Sequence, residues 1–200
     1  MKWILFPILA LSLAVAGTAL AQSSPTETVK KTVDDVIRVV SDKELKKPQN
    51  EKRRRQEIKR AIGAVFDSTE MAQRAMARHW RDRSAAEKKE FVELFESLLE
   101  NSYAGKIESY NQEKVVYLKE AIDGEYAEVR SKIVTARRDE YSLDYRLMLK
   151  GGKWVVYDIV IEGVSLVSNY RTQFNKIISN QGYAELVKKL RSKHQEISMP

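Results

Sequence analysis

The apolar residues of this chain change period twice, and that change constrains the fold more than any other feature. Before about Gln112 they recur at helical spacing, from Val115 to Ile161 they follow strand patterns, and from Leu166 they return to helical spacing. A helix buries a stripe of period 3.6 and a half-buried strand buries a face of period 2, so one pattern cannot serve the other structure. The order is helices, then a meander of strands, then helices. Such a chain is α+β, with helices packed on one face of a curved antiparallel sheet.

Local signals set the boundaries. Ser24-Pro25-Thr26-Glu27 is a capping box with proline at the first helical position, followed by the stripe Val29, Val33, Val36, Ile37 and Val40. The polar stretch Asp42–Asn50, with Pro48, separates it from a second helix that starts near Glu51 and carries Ile58, Ile62, Val65 and Phe66. Asp67 caps a third helix expected to run through Met71, Ala75, Met76 and Trp80. Ser84-Ala85-Ala86-Glu87 opens a long helix with Phe91, Leu94, Phe95, Leu98, Leu99 and Tyr103 on its inner side. Asp123-Gly124 and Gly151-Gly152 are hairpin turns. Between them, Ala127, Val129, Ser131 and Ile133 alternate with charged residues, and Tyr141, Leu143, Tyr145, Leu147 and Leu149 share one strand face.

Residues 1–21 read as an address. Met1-Lys2 precedes an apolar run that ends in Ala19-Leu20-Ala21, the small-x-small pattern of a cleaved export signal. An uncleaved anchor is the competing reading, since the run nearly reaches spanning length. Residues 22–200 then form a single exported domain. The chain has no cysteine, which excludes a disulfide framework, thiolate metal sites, a cysteine nucleophile and lipid attachment at the cleavage point. Its formal charge of +7 would suit nucleic acid, anionic lipid or an acidic protein, but export argues against nucleic acid.

Catalytic constellations are sparse. His79 and His194 are the two histidines, neither set in a metal-ligand pattern, and no phosphate-binding glycine loop exists. No cofactor or metal is expected. Gly163-Val164-Ser165 resembles half of a nucleophile elbow without its closing glycine, and Ser165 also reads as an N-cap. Asp158 interrupts a strand apolar on both faces, so it is either tied to Arg171 or Tyr170 or acts as a general base with Tyr145 or Tyr157 as donor. Two basic runs, Lys52-Arg53-Arg54-Arg55 with Lys59 and Arg60, and Arg74, Arg78, Arg81 and Arg83, are solvated faces or docking surfaces. Arg53, Arg54 and Arg55 are the docking candidates, which keeps a protein-binding module open as an alternative. The apolar residues of the long helix and the sheet either pack solidly or wall a cavity, and periodicity cannot separate the two.

The run Trp154-Val155-Val156-Tyr157-Asp158-Ile159-Val160-Ile161-Glu162-Gly163-Val164-Ser165-Leu166, continuing to Phe174, resembles the MlaC family of periplasmic phospholipid-binding proteins. Glu90–Phe95 with Leu98, Leu99 and Tyr103, and Val134–Leu149 with Tyr145, are similar to the same family. One departure is visible: the family pattern has a Leu-Gly pair ahead of the tryptophan, where this chain has Met76-Ala77 before Trp80. The resemblance implies a monomeric carrier without catalytic groups, on an NTF2/cystatin-like meander enclosing an apolar pocket. It would shuttle phospholipid through the periplasm between an outer-membrane lipoprotein–porin complex and an inner-membrane MCE-domain protein of an ABC transporter, maintaining outer-membrane lipid asymmetry. Candidate lipid contacts on the long helix are Phe91, Phe95, Leu98, Leu99 and Tyr103. On the strands they are Val115, Tyr117, Ile133, Tyr145, Leu147 and Leu149, and beyond them Val164, Val167 and Tyr170.

Overall fold

Four of the helices begin where a side chain takes up a free amide of the first turn. A computed structural model describes residues 23–198, with side chains to 193; the expected leader 1–21 and the His194 side chain lie outside the described residues. In α1 (Pro25–Ser41), Ser24 Oγ accepts the Glu27 amide at 3.1 Å and the Glu27 carboxylate accepts the Ser24 amide at 2.9 Å. A 3-10 turn at Pro48–Asn50 leads into α2 (Glu51–Gly63). Asp67 Oδ1 accepts the Glu70 amide at 3.0 Å and starts α3 (Ser68–Met76). Ser84 and Glu87 form the second reciprocal cap, at the head of α5 (Ala85–Glu108).

The third helix stops short of Trp80. Ala77 adopts φ 47° and ψ −122°, which ends α3, and the chain resumes as the single turn α4 (Arg78–Arg81). A methyl-bearing residue pays steric strain in that region, whereas glycine enters it freely.

Five strands follow, β1 (Lys114–Asp123), β2 (Tyr126–Val134), β3 (Glu140–Lys150), β4 (Lys153–Ile161) and β5 (Val164–Ser165), all antiparallel and in sequential order. Gly151 and Gly152, at φ 57° and 75°, make the paired left-handed turn between β3 and β4. Register shifts mark two bulges. Leu118 is the extra residue between Tyr117 and Lys119, and Tyr157 is extra where Arg146 pairs with Asp158 but Leu147 pairs with Val156. The second bulge lets Val156 and Ile159, three apart, face the same side. Two helices, α6 (Leu166–Gln181) and α7 (Tyr183–Ser198), close the chain.

The core divides in two. Met71, Met76, Phe91, Phe95, Phe174 and Leu186 lead a helical core built by α3, α5, α6 and α7. Val29 of α1 packs instead with Val129, Tyr145, Leu147 and Val156 on one face of the sheet. The expected crossing of Phe91, Phe95 and Leu98 over Tyr145, Leu147 and Leu149 is therefore corrected: α1 covers that part of the sheet, and α5 presents those residues to other helices.

Asp158 is buried by design of the second bulge. Its Oδ2 accepts from Ser165 Oγ at 2.6 Å and from Arg146 at 3.3 Å, and its Oδ1 accepts from the Val167 amide at 3.0 Å. Ser165 Oγ in turn accepts the Ser168 amide at 3.0 Å. The two side chains together cap α6, and the carboxylate sits at the positive end of that helix. Its partners are these, rather than the Arg171 or Tyr170 expected from sequence; Arg171 bonds the Arg74 carbonyl. The strain at Ala77 gives a direct test of the helix break. Ala77→Gly is expected to raise stability by about 1 kcal/mol, the lower part of the cost of a strained backbone site, in denaturant unfolding; a loss of stability would show that the backbone there is not as described.

Candidate functional site

A cavity of about 620 Å³ opens where α1, the end of α5 and the sheet draw apart. Voids inside packed proteins seldom exceed a water molecule, whereas ligand pockets commonly span about 300–1,000 Å³. Val33, Val36, Ile37 and Val40 of α1 form one wall, and Tyr103 and Ile107 of α5 another. The sheet contributes Val115, Ile133, Leu143, Tyr145, Val156, Ile159 and Ile161. Phe66, between α2 and α3, reaches the same space. Three charged side chains line it, Lys106, Glu113 and Glu162, with the hydroxyls of Thr135, Tyr110 and Tyr141 beside them. The charged groups come from the last turn of α5 and from the start of β1 and the end of β4, which lie at the same end of the sheet; elsewhere the wall is apolar apart from Thr32 and the tyrosines Tyr103 and Tyr145.

A smaller chamber of about 220 Å³ lies between α2 and α5. It shares Ile62, Phe66, Tyr103, Ile107, Ile159 and Ile161 with the larger one, so the two adjoin through a common wall. Its seam is bridged by long ion pairs: Arg54 and Arg55 each approach Glu108 at 3.4 Å, and Lys59 approaches Glu100 at 3.3 Å.

Tyr103, Tyr117 and Tyr145 stay neutral. Burial pushes the Tyr103 hydroxyl up, raises Tyr117 to about 12, and lifts Tyr145 higher still. The Tyr117 hydroxyl is buried without a hydrogen-bond partner. The Tyr103 and Tyr145 hydroxyls therefore add no charge to the cavity wall at physiological pH.

The lipid candidates fall into separate places. Tyr103, Val115, Ile133 and Tyr145 line the larger cavity, and Leu99 lines the smaller. Phe91, Phe95, Leu98, Val167 and Tyr170 do not: they belong to the helical core, where Phe95 meets Tyr170 edge-on at 5.4 Å and Phe91 meets Phe174 at 5.6 Å. Leu147 is fully buried under α1, and Leu149 and Tyr117 pack around the same sheet core outside the cavity lining. Val164 is exposed at the edge of the sheet. The α1 residues Val33, Val36, Ile37 and Val40 were missed as lining. Their stripe was plain, but only the tertiary position of α1 shows that its far end stands away from the sheet.

The docking arginines also separate. Arg53 is exposed, whereas Arg54 is mostly buried beside Glu108 and donates to the Leu45 carbonyl at 3.2 Å, and Arg55 is shared between Glu51 and Glu108. The second basic run is partly spent inside the fold as well. Arg74 bonds Glu70 and lies 4.0 Å over the Tyr157 ring, and Arg83 bonds Glu87 and lies over Tyr183. Asp158, Ser165 and Tyr157 are thus all engaged in structural contacts. Among the described residues no three histidine or carboxylate groups gather as metal ligands, and no helix is long and apolar enough to cross a membrane.

Comparison with known proteins agrees with this geometry. The family described as MlaC protein matches residues 30–192. The intermembrane phospholipid transport system binding protein MlaC of Haemophilus influenzae is 26% identical over 197 residues, covering 94% of this chain and 91% of that protein. The toluene tolerance protein ttg2D of Pseudomonas putida is 23% identical over 177 residues, covering 88% and 82%. Among solved structures, a phospholipid-binding protein from Ralstonia solanacearum in complex with a phospholipid superposes with a TM-score of 0.77 at 30% identity, covering 86% of this chain and 97% of that one.

Leu143 and Leu147 lie on the same face of β3 but in different surroundings, one on the cavity and one in closed core. Leu147→Trp is expected to cost about 1–3 kcal/mol by overpacking, while Leu143→Trp stays within about 1 kcal/mol of wild type because the cavity takes the added volume. Equal losses for the two variants in denaturant melts would mean that no cavity separates them.

Proposed function

The chain belongs to the MlaC family, and from that membership we propose that it is a phospholipid carrier which holds acyl chains in the cavity beneath α1 and leaves the headgroup at the polar end. The observation that carries this reading is the cavity itself, about 620 Å³ of hydrocarbon wall with its charged groups confined to one end. That division matches the two parts of a phospholipid.

The energetics explain why such a protein is needed. Moving acyl chain through water costs about 0.8 kcal/mol per CH₂, so a chain of about fifteen carbons faces a barrier on the order of 12 kcal/mol. Apolar walls replace that cost with an environment close to the bilayer's own. Exchange with a membrane or membrane protein is then near balance, as reversible loading and unloading require. A tightly polar site would bind headgroups without sheltering chains.

In this reading the carrier works in the periplasm after removal of residues 1–21. It exchanges lipid with an inner-membrane MCE-domain protein of an ABC transporter and with an outer-membrane lipoprotein–porin complex, and so maintains outer-membrane lipid asymmetry. The relatives' phospholipid names support the ligand class. Exposed Arg53 is the member of its run available for docking; Arg54 and Arg55 hold α2 to α5. An enzyme based on Asp158 is not favoured, since each of its oxygens already serves the cap of α6.

Lipid extraction from purified protein tests the reading. Mass spectrometry should find diacyl phospholipid close to stoichiometric with wild type and at least severalfold less with Leu143→Trp, at unchanged fold by circular dichroism. A wild-type protein that carries no phospholipid and takes none up from vesicles would overturn the proposal.

A further inference from the structure

The seam between α2 and α5 is closed weakly. The two helices face each other across the smaller chamber instead of packing closely, and three ion pairs span the gap. Two of them share one carboxylate: Glu108 lies 3.4 Å from the Arg54 guanidinium and 3.4 Å from Arg55 Nε. The second contact lacks hydrogen-bond geometry, and among the described residues Arg54 Nε, Arg55 Nε and Glu108 Oε1 are all buried without a hydrogen-bond partner. The third pair, Lys59 to Glu100 at 3.3 Å, is exposed on both sides. An ion pair taken out of water recovers its desolvation cost only through good geometry and hydrogen bonds, and buried donors left unpaired oppose the closed state. Lifting α2 from α5 returns all three atoms to water.

The rest of α2 is arranged for such a movement. Its single buried residue, Ile58, packs with Val39 and Val40 of α1, so α2 stays with α1 when the seam parts. Its far end is anchored, since Val65 and Asp67 are bonded to Val156 of β4. Between helix and anchor lies Gly63, the last residue of α2, where a side chain would meet open space. Sterics do not require a glycine there, and its flexibility opposes the helix; both suit a hinge at the end of an element.

We infer that the seam is a second mouth of the cavity through which acyl chains enter and leave sideways, with α2 as a flap hinged at Gly63 and the pairs to Glu108 and Glu100 as its latch. Behind the seam the smaller chamber is walled by Met71, Leu99 and Leu166, and it adjoins the larger one through Phe66, Tyr103 and Ile159. A chain sliding along this path stays against hydrocarbon throughout, and no polar headgroup has to cross the interior, where it would lose its water without gaining partners. The portal rests on the carrier reading and adds the route by which the ligand is exchanged.

Bridging the seam tests it. The chain has no cysteine, so the double variant Lys59→Cys, Glu100→Cys carries thiols only on the two sides of the gap. It is loaded with pyrene-labelled phosphatidylcholine, bridged with a short reducible bis-methanethiosulfonate, and mixed with excess phosphatidylcholine vesicles while transfer of the label is followed by fluorescence. Bridged protein should release lipid about tenfold more slowly than the same sample after reduction, at unchanged circular dichroism, because a closed flap must open before release. Without a bridge, Gly63→Ala should slow release about threefold by stiffening the hinge, and Glu108→Gln should speed it about threefold by weakening the latch. Equal rates for bridged and reduced protein, or unaltered release in both single variants, would overturn the portal while leaving the carrier intact. Failure of the wild type to take up labelled lipid would overturn both readings, and the label bound before release tells the cases apart.

Discussion

Two backbone hydrogen bonds organise this molecule. The Val156 amide donates to the Val65 carbonyl and the Asp67 amide donates to the Val156 carbonyl, both at 2.9 Å, so the segment between α2 and α3 lies alongside β4 as a short parallel bridge. They fix the point at which the helical layer divides. Beyond Asp67, α3 turns into the solid core with α5, α6 and α7; before Val65, α2 stands over the cavity and its smaller neighbour. Phe66, held at the junction, contributes to the walls of both chambers. Asp67 strengthens the same point: burial opposes its charge, but hydrogen bonds from Lys150 and the α3 amides outweigh it and hold the carboxyl below its usual range. Its share of stability is present above the ordinary carboxylate range and is lost as pH falls through the lowered value.

The bulge at Tyr157 completes the arrangement. One extra residue turns Asp158 toward the start of α6 and keeps Ile159 and Ile161 on the cavity side. A single irregularity thus secures the C-terminal helices and lengthens the apolar wall. The helical core can then be densely packed, with Phe91, Phe95 and Phe174 in edge-on and stacked contact, while the other half of the molecule retains interior volume. Dense aromatic packing and interior volume thus fall in different parts of one domain.

Much of this was legible in the residues. The capping boxes at Ser24 and Ser84, the cap at Asp67, the glycine turns and the sequential meander all follow from local chemistry that acts within a few residues. The site was less legible, because Phe91 and Tyr103 share one helix and one inner side yet face different surroundings. Period tells which side of α5 is buried, not what it is buried against. The same limit hid Val33, Val36 and Ile37, whose spacing suits packed core as well as cavity wall. Arg54 and Arg55 read as a surface charge run because Glu108, their partner, lies more than fifty residues away in sequence. The Leu-Gly departure at Met76-Ala77 was visible, and its consequence, a strained break before Trp80, required the backbone angles.

The central claim is that acyl chains lie between α1 and the sheet and not among the aromatic residues of α5. Photo-cross-linking measures this most directly: protein loaded with a phospholipid bearing a diazirine midway along one acyl chain is irradiated, digested and mapped by mass spectrometry. The label should concentrate on peptides containing Val33–Val40 of α1 and Leu143–Tyr145 of β3. Label concentrated on the α5 peptide containing Phe91 and Phe95, with α1 unmarked, would contradict the account.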